Sequence, residues 1–402
     1  MGLNDTVSAE RLHIAFFGKR NAGKSSLVNA VTGQDLAVVS DVKGTTTDPV
    51  KKAMELLPLG PVVVIDTPGL DDEGKLGQLR VQKTKQILAQ TDIAVLVVDA
   101  VCGMDTVDRE LVTFFENQKL PYLVAYNKAD LLSERKALND NEIYVSAVTK
   151  EHIWELKEKI GAFSEKNTAS SPKHLVADLL SPSDLVVLVI PIDEAAPKGR
   201  LILPQQQVIR DLLDAHCSFI ACQDTELEQT LAALCVKPKL VITDSQVFGT
   251  VAKIVPDDIM LTSFSILLAR YKGDLKELVR GASKLSRLKS SDRILISEGC
   301  THHRQCNDIG TVKLPGWIEA FTGITPAYTF TSGGEFPNNL SDFALIVHCG
   351  GCMLNEKEMK YRIALASAAG VPIVNYGIAI AQMHGILKRS LEPFQDILEL
   401  LR

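Results

Sequence analysis

The sequence predicts an α/β protein of three domains, each built on short parallel strands alternating with helices. Short β-rich apolar runs recur along the chain with helix-like segments between them, the pattern of sheets buried on both faces. One stretch, Glu165–Lys173, is polar and without apolar periodicity, and reads as a linker. With 402 residues, of which 46% are hydrophobic, there is enough chain for several cores.

The elements follow in order. His13–Phe17 is a buried strand, Lys24–Val31 a helix, and Val62–Ile65, Ile93–Val98 and Tyr122–Ala125 are further strands, with Ile143-Tyr144-Val145 a shorter one. Together with the segment before Lys173 they make a first domain, residues 1–168. Leu185–Ile192 starts a second set: helix Pro204–His216, strand Ser218–Ala221, helix Glu226–Cys235 and strand Leu240–Thr243. This unit, 174–265, carries no spacing typical of a catalytic site, which suits assembly. The third, 266–402, has helix Asp274–Lys284, strand Arg293–Ser297, strand Ala344–His348, helix Glu356–Ala369 ending at Gly370, and strand Val371–Asn375. No internal repeat or low-complexity segment is evident.

Composition limits the function classes. A net charge of −6 leaves no electrostatic footprint for nucleic acid or an anionic membrane. The best apolar run, Leu185–Ile192 with Pro191 inside it, is far short of a membrane span. Met1–Arg11 is polar and lacks the apolar core of a secretion signal, so a cytoplasmic protein is expected. Cys102, Cys217, Cys222 and Cys235 stand singly in strand- or helix-like stretches and read as small buried hydrophobes.

Chemistry concentrates in two places. Gly18-Lys19-Arg20-Asn21-Ala22-Gly23-Lys24-Ser25, after a strand and before a helix, fits a phosphate-binding loop. Its backbone N–H groups, with Ser26 behind them, would close around phosphates; Lys24 would reach the β- and γ-phosphates and Ser25 would ligate Mg²⁺. Asp66-Thr67-Pro68-Gly69 follows the strand Val62–Ile65, with Asp66 as the Mg²⁺-side carboxylate and the Gly69 N–H facing the γ-phosphate. Gly44-Thr45-Thr46-Thr47 lies where a γ-phosphate-sensing switch belongs, Thr46 being the first choice for the Mg²⁺-ligating hydroxyl and Thr45 the alternative. Asn127-Lys128-Ala129-Asp130 follows another strand. Asp130 can accept from guanine N1–H and N2–H₂, donors that adenine does not present there; each such bond is worth roughly 1.5–3 kcal/mol. Ser146-Ala147 supplies the loop behind the base. These motifs, in this order, resemble the Era/MnmE-type GTPases of the translation-factor superclass. Leu70 follows Gly69 where Ras-like enzymes carry a water-orienting Gln, so hydrolysis of GTP to GDP is expected to be slow. An Asn at the position of Asn21 ligates K⁺ in related GTPases, which implies K⁺ stimulation.

The second place is Cys300-Thr301-His302, answered by His348-Cys349-Gly350-Gly351-Cys352. Both stretches lie just beyond the carboxyl ends of strands, where open α/β sheets place ligands. Thiolates are soft ligands suited to zinc or to an iron–sulfur cluster. Cys300, Cys349 and Cys352 supply three; His302 and His348 are candidates for a fourth position, and Cys306 could exchange into it.

A GTPase module joined to a Cys-x-His…His-Cys-x-x-Cys module resembles, along the whole chain, the HydF family of GTPase scaffolds and carriers that mature FeFe-hydrogenase. The resemblance implies that 174–265 is a dimerisation domain making a homodimer and that 266–402 binds a 4Fe–4S cluster. It further implies a transient diiron precursor, built with radical-SAM maturases of the HydE and HydG type and delivered to apo FeFe-hydrogenase, with neither nucleic acid nor membrane as partner. The rival from the residues alone is an Era/MnmE-like GTPase associated with RNA or the ribosome and carrying a structural zinc site; the absence of a basic domain counts against it. A non-catalytic redox sensor is a second rival.

Overall fold

The computed structural model describes residues 8–34, 50–68, 86–168, 173–192, 201–299, 308–337 and 339–399. The chain divides into two compact units, Met1–Pro172 and Lys173–Arg402.

The first unit holds a six-stranded sheet of β1 (Leu12–Gly18), β2 (Val50–Leu56), β3 (Gly60–Asp66), β4 (Ile93–Asp99), β5 (Tyr122–Asn127) and β6 (Glu142–Tyr144), in the order β2-β3-β1-β4-β5-β6. All pairings are parallel except the β2–β3 hairpin. The alternation within β1 explains its unbroken apolar run. Ile14 and Phe16 enter one core with Leu27, Val31, Leu156 and Ile160, while Ala15 and Phe17 enter the other with Ile65 and Phe115. Helices Lys24–Thr32 and Ile153–Thr168 cover the first face and helix Thr106–Asn117 the second. That last helix begins with a reciprocal cap: Asp105 accepts from the N–H of Val107 and Asp108, and Asp108 accepts from that of Asp105. Helix Ile153–Thr168 runs into the segment read as linker, so the polar stretch begins as helix.

The second unit contains two four-stranded, all-parallel sheets. One is β7 (Leu185–Val189), β8 (Ser218–Cys222), β9 (Leu240–Thr243) and β10 (Met260–Ser263), ordered β10-β9-β7-β8. The other is β11 (Arg293–Ser297), β12 (Ala327–Thr331), β13 (Leu345–His348) and β14 (Ile373–Asn375), ordered β12-β11-β13-β14. A single apolar core runs through both, from Val186 and Leu188 by way of Leu267 and Leu278 to Ile294, Val347 and Ile378. Helix Phe264–Lys272 lies at the junction and continues through the division that the sequence suggests at 265/266. Helix Leu275–Ala282 packs so closely on β14 that a Cβ on Gly281 would fall 2.0 Å from the Ile373 carbonyl oxygen.

Strand β7 stops at Val189 rather than Ile192, two residues before Pro191, which has no N–H to give a ladder. Of the four cysteines expected inside, Cys217 is buried and Cys222 is partly so, but Cys102 and Cys235 are exposed. Both exposed residues lie beyond the ends of their elements, β4 and helix Leu227–Ala233, where no neighbour covers them. Among the described residues no helix is long and apolar enough to cross a membrane.

Candidate nucleotide and metal sites

Strand β1 ends at Gly18, where a Cβ would come within 2.4 Å of the Val97 carbonyl oxygen; the sheet itself demands glycine there. The loop that follows turns at Asn21, with φ 62, and at Gly23, with φ 79, before helix Lys24–Thr32 begins. Gly23 is left-handed, and a Cβ on it would meet Asn127 Nδ2 at 2.3 Å. Asn127 thereby clamps the loop. It is 2% exposed, its Nδ2 donates to the carbonyls of Ala22 at 3.0 Å and Gly23 at 3.3 Å, and its Oδ1 accepts from the Ala147 N–H at 3.1 Å. One amide therefore ties the ends of β1, β5 and β6 together.

Lys24 and Ser25 converge on Asp66 at the end of β3. Ser25 Oγ donates to Asp66 Oδ2 at 2.8 Å, and Lys24 Nζ lies 3.3 Å from Oδ1. Both charged groups are nearly inaccessible, yet Asp66 Oδ1 accepts no hydrogen bond. A buried carboxylate oxygen with unused lone pairs beside a serine hydroxyl fits the oxygen-ligand chemistry of Mg²⁺. Lys128 has φ 65, and its Nζ donates to Asp99 at 2.5 Å. Burial works against the Asp99 charge, but the Lys128 hydrogen bond and charge hold its carboxyl below the usual range. Asp130 is exposed on a short turn that the Ala129 N–H anchors to the Val145 carbonyl at 3.1 Å. Ser146 is buried, and its Oγ accepts from the Thr149 N–H at 3.1 Å, shaping the loop that Ala147 continues. Ser26 lies half-buried in the first turn of helix Lys24–Thr32. Thr45, Thr46, Gly69 and Leu70 lie outside the described residues.

At the second site, the β11–β13 register pairs Ser297 with His348. That pairing sets the two strand ends side by side. The Cys349 N–H donates to the Ser297 carbonyl at 2.9 Å, and Cys349 Sγ accepts from the N–H of Gly299 at 3.0 Å and of Gly351 at 3.4 Å. Gly351 has φ 64, the turn that lets Cys349 and Cys352 share one short loop. Burial pushes the Cys349 thiol up to about 11 against those two N–H groups. Burial also raises Cys352, opposed by the charge of Lys272. Backbone N–H groups aimed at a sulfur fit a metal-bound thiolate, whose charge they share. Cys300 and His302 lie outside the described residues, as does Cys306. Among the described residues no three metal-type side chains gather at one point.

His348 does not fit the ligand role that the sequence suggests. Its Nδ1 lies 2.8 Å from the Cys349 carbonyl, which can only accept, and its Nε2 lies 3.0 Å from Arg362, which can only donate. Both nitrogens are thus in use. Burial and the neighbouring guanidinium lower its pKa to about 3, so the ring is neutral. Arg362 is 1% exposed and also donates to Glu358 at 2.6 Å and to the Gly333 carbonyl at 2.7 Å, while lying over the Phe336 ring. His348 belongs to a buried network beneath the cysteine loop. In sequence, Glu358 and Arg362 look like an ordinary surface pair one helical turn apart, and nothing local reveals their burial.

The chain matches three family models: the Hydrogen maturase F dimerization domain over residues 175–273, the Hydrogen maturase F tetramerization domain over 276–393, and the 50S ribosome-binding GTPase family over 13–128. The GTPase Der of Kosmotoga olearia is 31% identical over 191 residues, 43% of either chain. The tRNA modification GTPase MnmE of Nitrosomonas europaea is 34% identical over 149 residues, 36% of this chain and 33% of the relative. The chain thus spans less than half the length of these curated relatives. The solved structure of Aquifex aeolicus Era bound to GDP and AlF4⁻ aligns over 52% of this chain and 92% of its own, at 18% identity and a TM-score of 0.35. Dimerization and tetramerization models side by side support self-association. These two models cover between them more than half of the sequence, and with a GTPase module ahead of them the chain belongs to the HydF family of hydrogenase maturase GTPases.

Proposed function

We propose that the chain is a GTP-hydrolysing scaffold and carrier that holds a 4Fe–4S cluster on Cys300, Cys349 and Cys352 and delivers a diiron precursor to apo FeFe-hydrogenase. The observation that carries this reading is the Cys349 loop: a sulfur at a strand end receiving two backbone N–H groups, in a chain of the hydrogenase maturase family. A bound cluster would supply an iron corner for docking the diiron cargo, with His302 the remaining histidine candidate beside the three thiols. Domains 1–168, 174–265 and 266–402 would serve nucleotide switching, homodimer formation and cluster holding.

In the first unit, Gly18, Asn21, Ala22, Gly23 and Ser26 would wrap the phosphates, Lys24 would leave Asp66 for the β- and γ-oxygens, and Thr45 and Gly69 would face the γ-phosphate. Ser25, Thr46 and Asp66 would hold Mg²⁺, which when bound neutralises charge between those oxygens. Asn127, Lys128, Asp130, Ser146 and Ala147 would hold guanine. Asn21 would hold K⁺, and with Leu70 in place of a water-orienting Gln turnover would be slow. Partners would be the hydrogenase and radical-SAM maturases in the cytoplasm, with neither nucleic acid nor membrane involved.

Anaerobic reconstitution tests the reading. About one 4Fe–4S cluster per chain is expected. Serine at Cys300, Cys349 or Cys352 should abolish it and the activation of apo-hydrogenase while GTP turnover persists. Stoichiometric zinc without iron in protein kept from oxygen would overturn it.

A further inference from the structure

Helix Phe264–Lys272 forms the floor under the Cys-Gly-Gly-Cys loop. Ser265 Oγ and Leu268 Cδ1 each lie 3.6 Å from where a Cβ on Gly350 would stand. At the last residue of that helix, Lys272 is 2% exposed and its Nζ donates to the carbonyls of Gly351 at 3.3 Å, Cys352 at 2.9 Å and Leu354 at 2.9 Å. An ammonium has three N–H groups, so these acceptors suffice for all of them. A lysine at a helix end ordinarily offers its charge to the last carbonyls of its own helix. This one reaches a loop 79 to 82 residues further along the chain. Burying a cation costs several kcal/mol unless it is well hydrogen-bonded, so a placement this complete is specific. It also crosses from the 175–273 module to the 276–393 module.

We propose that Lys272 is a positioning residue for the metal-binding loop, fixing the turn that aims Cys349 and Cys352 and keeping a positive charge beside Cys352. The proposal rests on the reading that these cysteines hold an iron–sulfur cluster. Two consequences follow. Without Lys272, three loop carbonyls lose their donor and the turn loosens. The cluster also loses a neighbouring cation that favours its more negative, reduced state.

The test uses the full chain with Lys272→Met, which keeps the apolar stem, and Lys272→Gln, which keeps donors without the charge. In metal-free protein, hydrogen exchange at the amides of residues 350–354 should quicken about tenfold or more in Lys272→Met, since each charge-assisted bond is worth roughly 1.5–3 kcal/mol. The amides of β11 and β13 should keep their parent rates. Lys272→Gln should show a smaller acceleration, and it carries the test if Lys272→Met fails to fold. After anaerobic reconstitution, the cluster in Lys272→Gln should have a more negative reduction potential than in the parent. Parent-like loop exchange together with a parent-like potential would overturn the proposal. So would acceleration spread equally over β11 and β13, which would make Lys272 a general core residue. A parent protein that takes up no iron would instead overturn the cluster reading, while the exchange measurement still decides the role of Lys272 in the loop.

Discussion

Single side chains divide here into those that meet ligands and those that hold them in place. Asp130, exposed on its turn, would be of the first kind under the proposed function, accepting from the guanine base. Asp130→Asn should lower GTP affinity about a hundredfold or more, since two bonds of roughly 1.5–3 kcal/mol each are at stake. Xanthosine triphosphate should then compete better than GTP, because the amide can donate where the carboxylate only accepted. Competition binding reads this out, and unchanged selectivity would remove Asp130 from the base site. Asn21 turns the phosphate loop at φ 62, a conformation that Asn and Gly both tolerate. Asn21→Gly therefore keeps the turn and removes only the amide. Hydrolysis by the parent should be faster in K⁺ than in Na⁺ at equal ionic strength, and Asn21→Gly should lose that difference. A cation effect that survives the substitution would place the K⁺ site elsewhere. Arg362 is of the second kind. Arg362→Leu leaves the Glu358 carboxylate without its buried guanidinium and removes the donor to His348 Nε2. Breaking a buried pair in this way costs about 3–5 kcal/mol, visible as a lower urea midpoint. A loss below about 1 kcal/mol would mean that the network relaxes or admits water.

At the scale of elements, the sequence announces what is buried on both sides and conceals what is not. Strands β1, β3, β4, β5, β9 and β11 are continuous apolar runs because both faces meet a core, and their expected positions agree with the structure to within two residues at either end. The edge strand β2, Val-Lys-Lys-Ala-Met-Glu-Leu, is largely exposed and has no such signature. Strand β12 is also an edge and only partly covered, and escapes for the same reason, whereas β10, Met-Leu-Thr-Ser, is buried but escapes because it is four residues long and half of them are polar. Motifs were legible because their spacing is covalent: phosphate loop, Asp66, Asn127–Asp130 and the cysteine pair each occupy one turn of chain. The contacts of Lys272 and the His348–Arg362–Glu358 network were not, because they depend on residues that only tertiary packing brings together. Packing also gives Gly281 a role that no local rule requires. A methyl group there would collide with the β14 backbone, so Gly281→Ala should cost about 1–3 kcal/mol through displacement of helix Leu275–Ala282. In an exposed helix the same change would gain about 1 kcal/mol from propensity. A stabilised Gly281→Ala variant, measured by thermal melting, would show that the helix stands further from β14.

For the molecule as a whole, the decisive fact is how the cores are shared. The first unit has its own sheet and its own two apolar layers, which among the described residues draw only on residues up to 168. The two sheets of the second unit share one core. Helix Phe264–Lys272 gives Ile266, Leu267 and Leu268 to it, and Asn375 of β14 donates to Ser265 at its start. Modules that family models separate at 273–276 therefore form one compact unit around one core. Residues 1–172 expressed alone should fold, bind GTP over ATP and melt cooperatively, because this unit has its own sheet and its own apolar layers. Residues 266–402 alone should not fold, since they would expose the faces that β10, helix Phe248–Ile254 and the start of helix Phe264–Lys272 cover. A full chain from which 174–265 has been removed should fail in its second part for the same reason, giving a folded GTP-binding unit attached to an unfolded tail rather than a clean monomer. Circular dichroism and limited proteolysis distinguish these outcomes. A soluble, protease-resistant 266–402 fragment that takes up iron would show that the cluster module stands alone and that its core is shared without being needed.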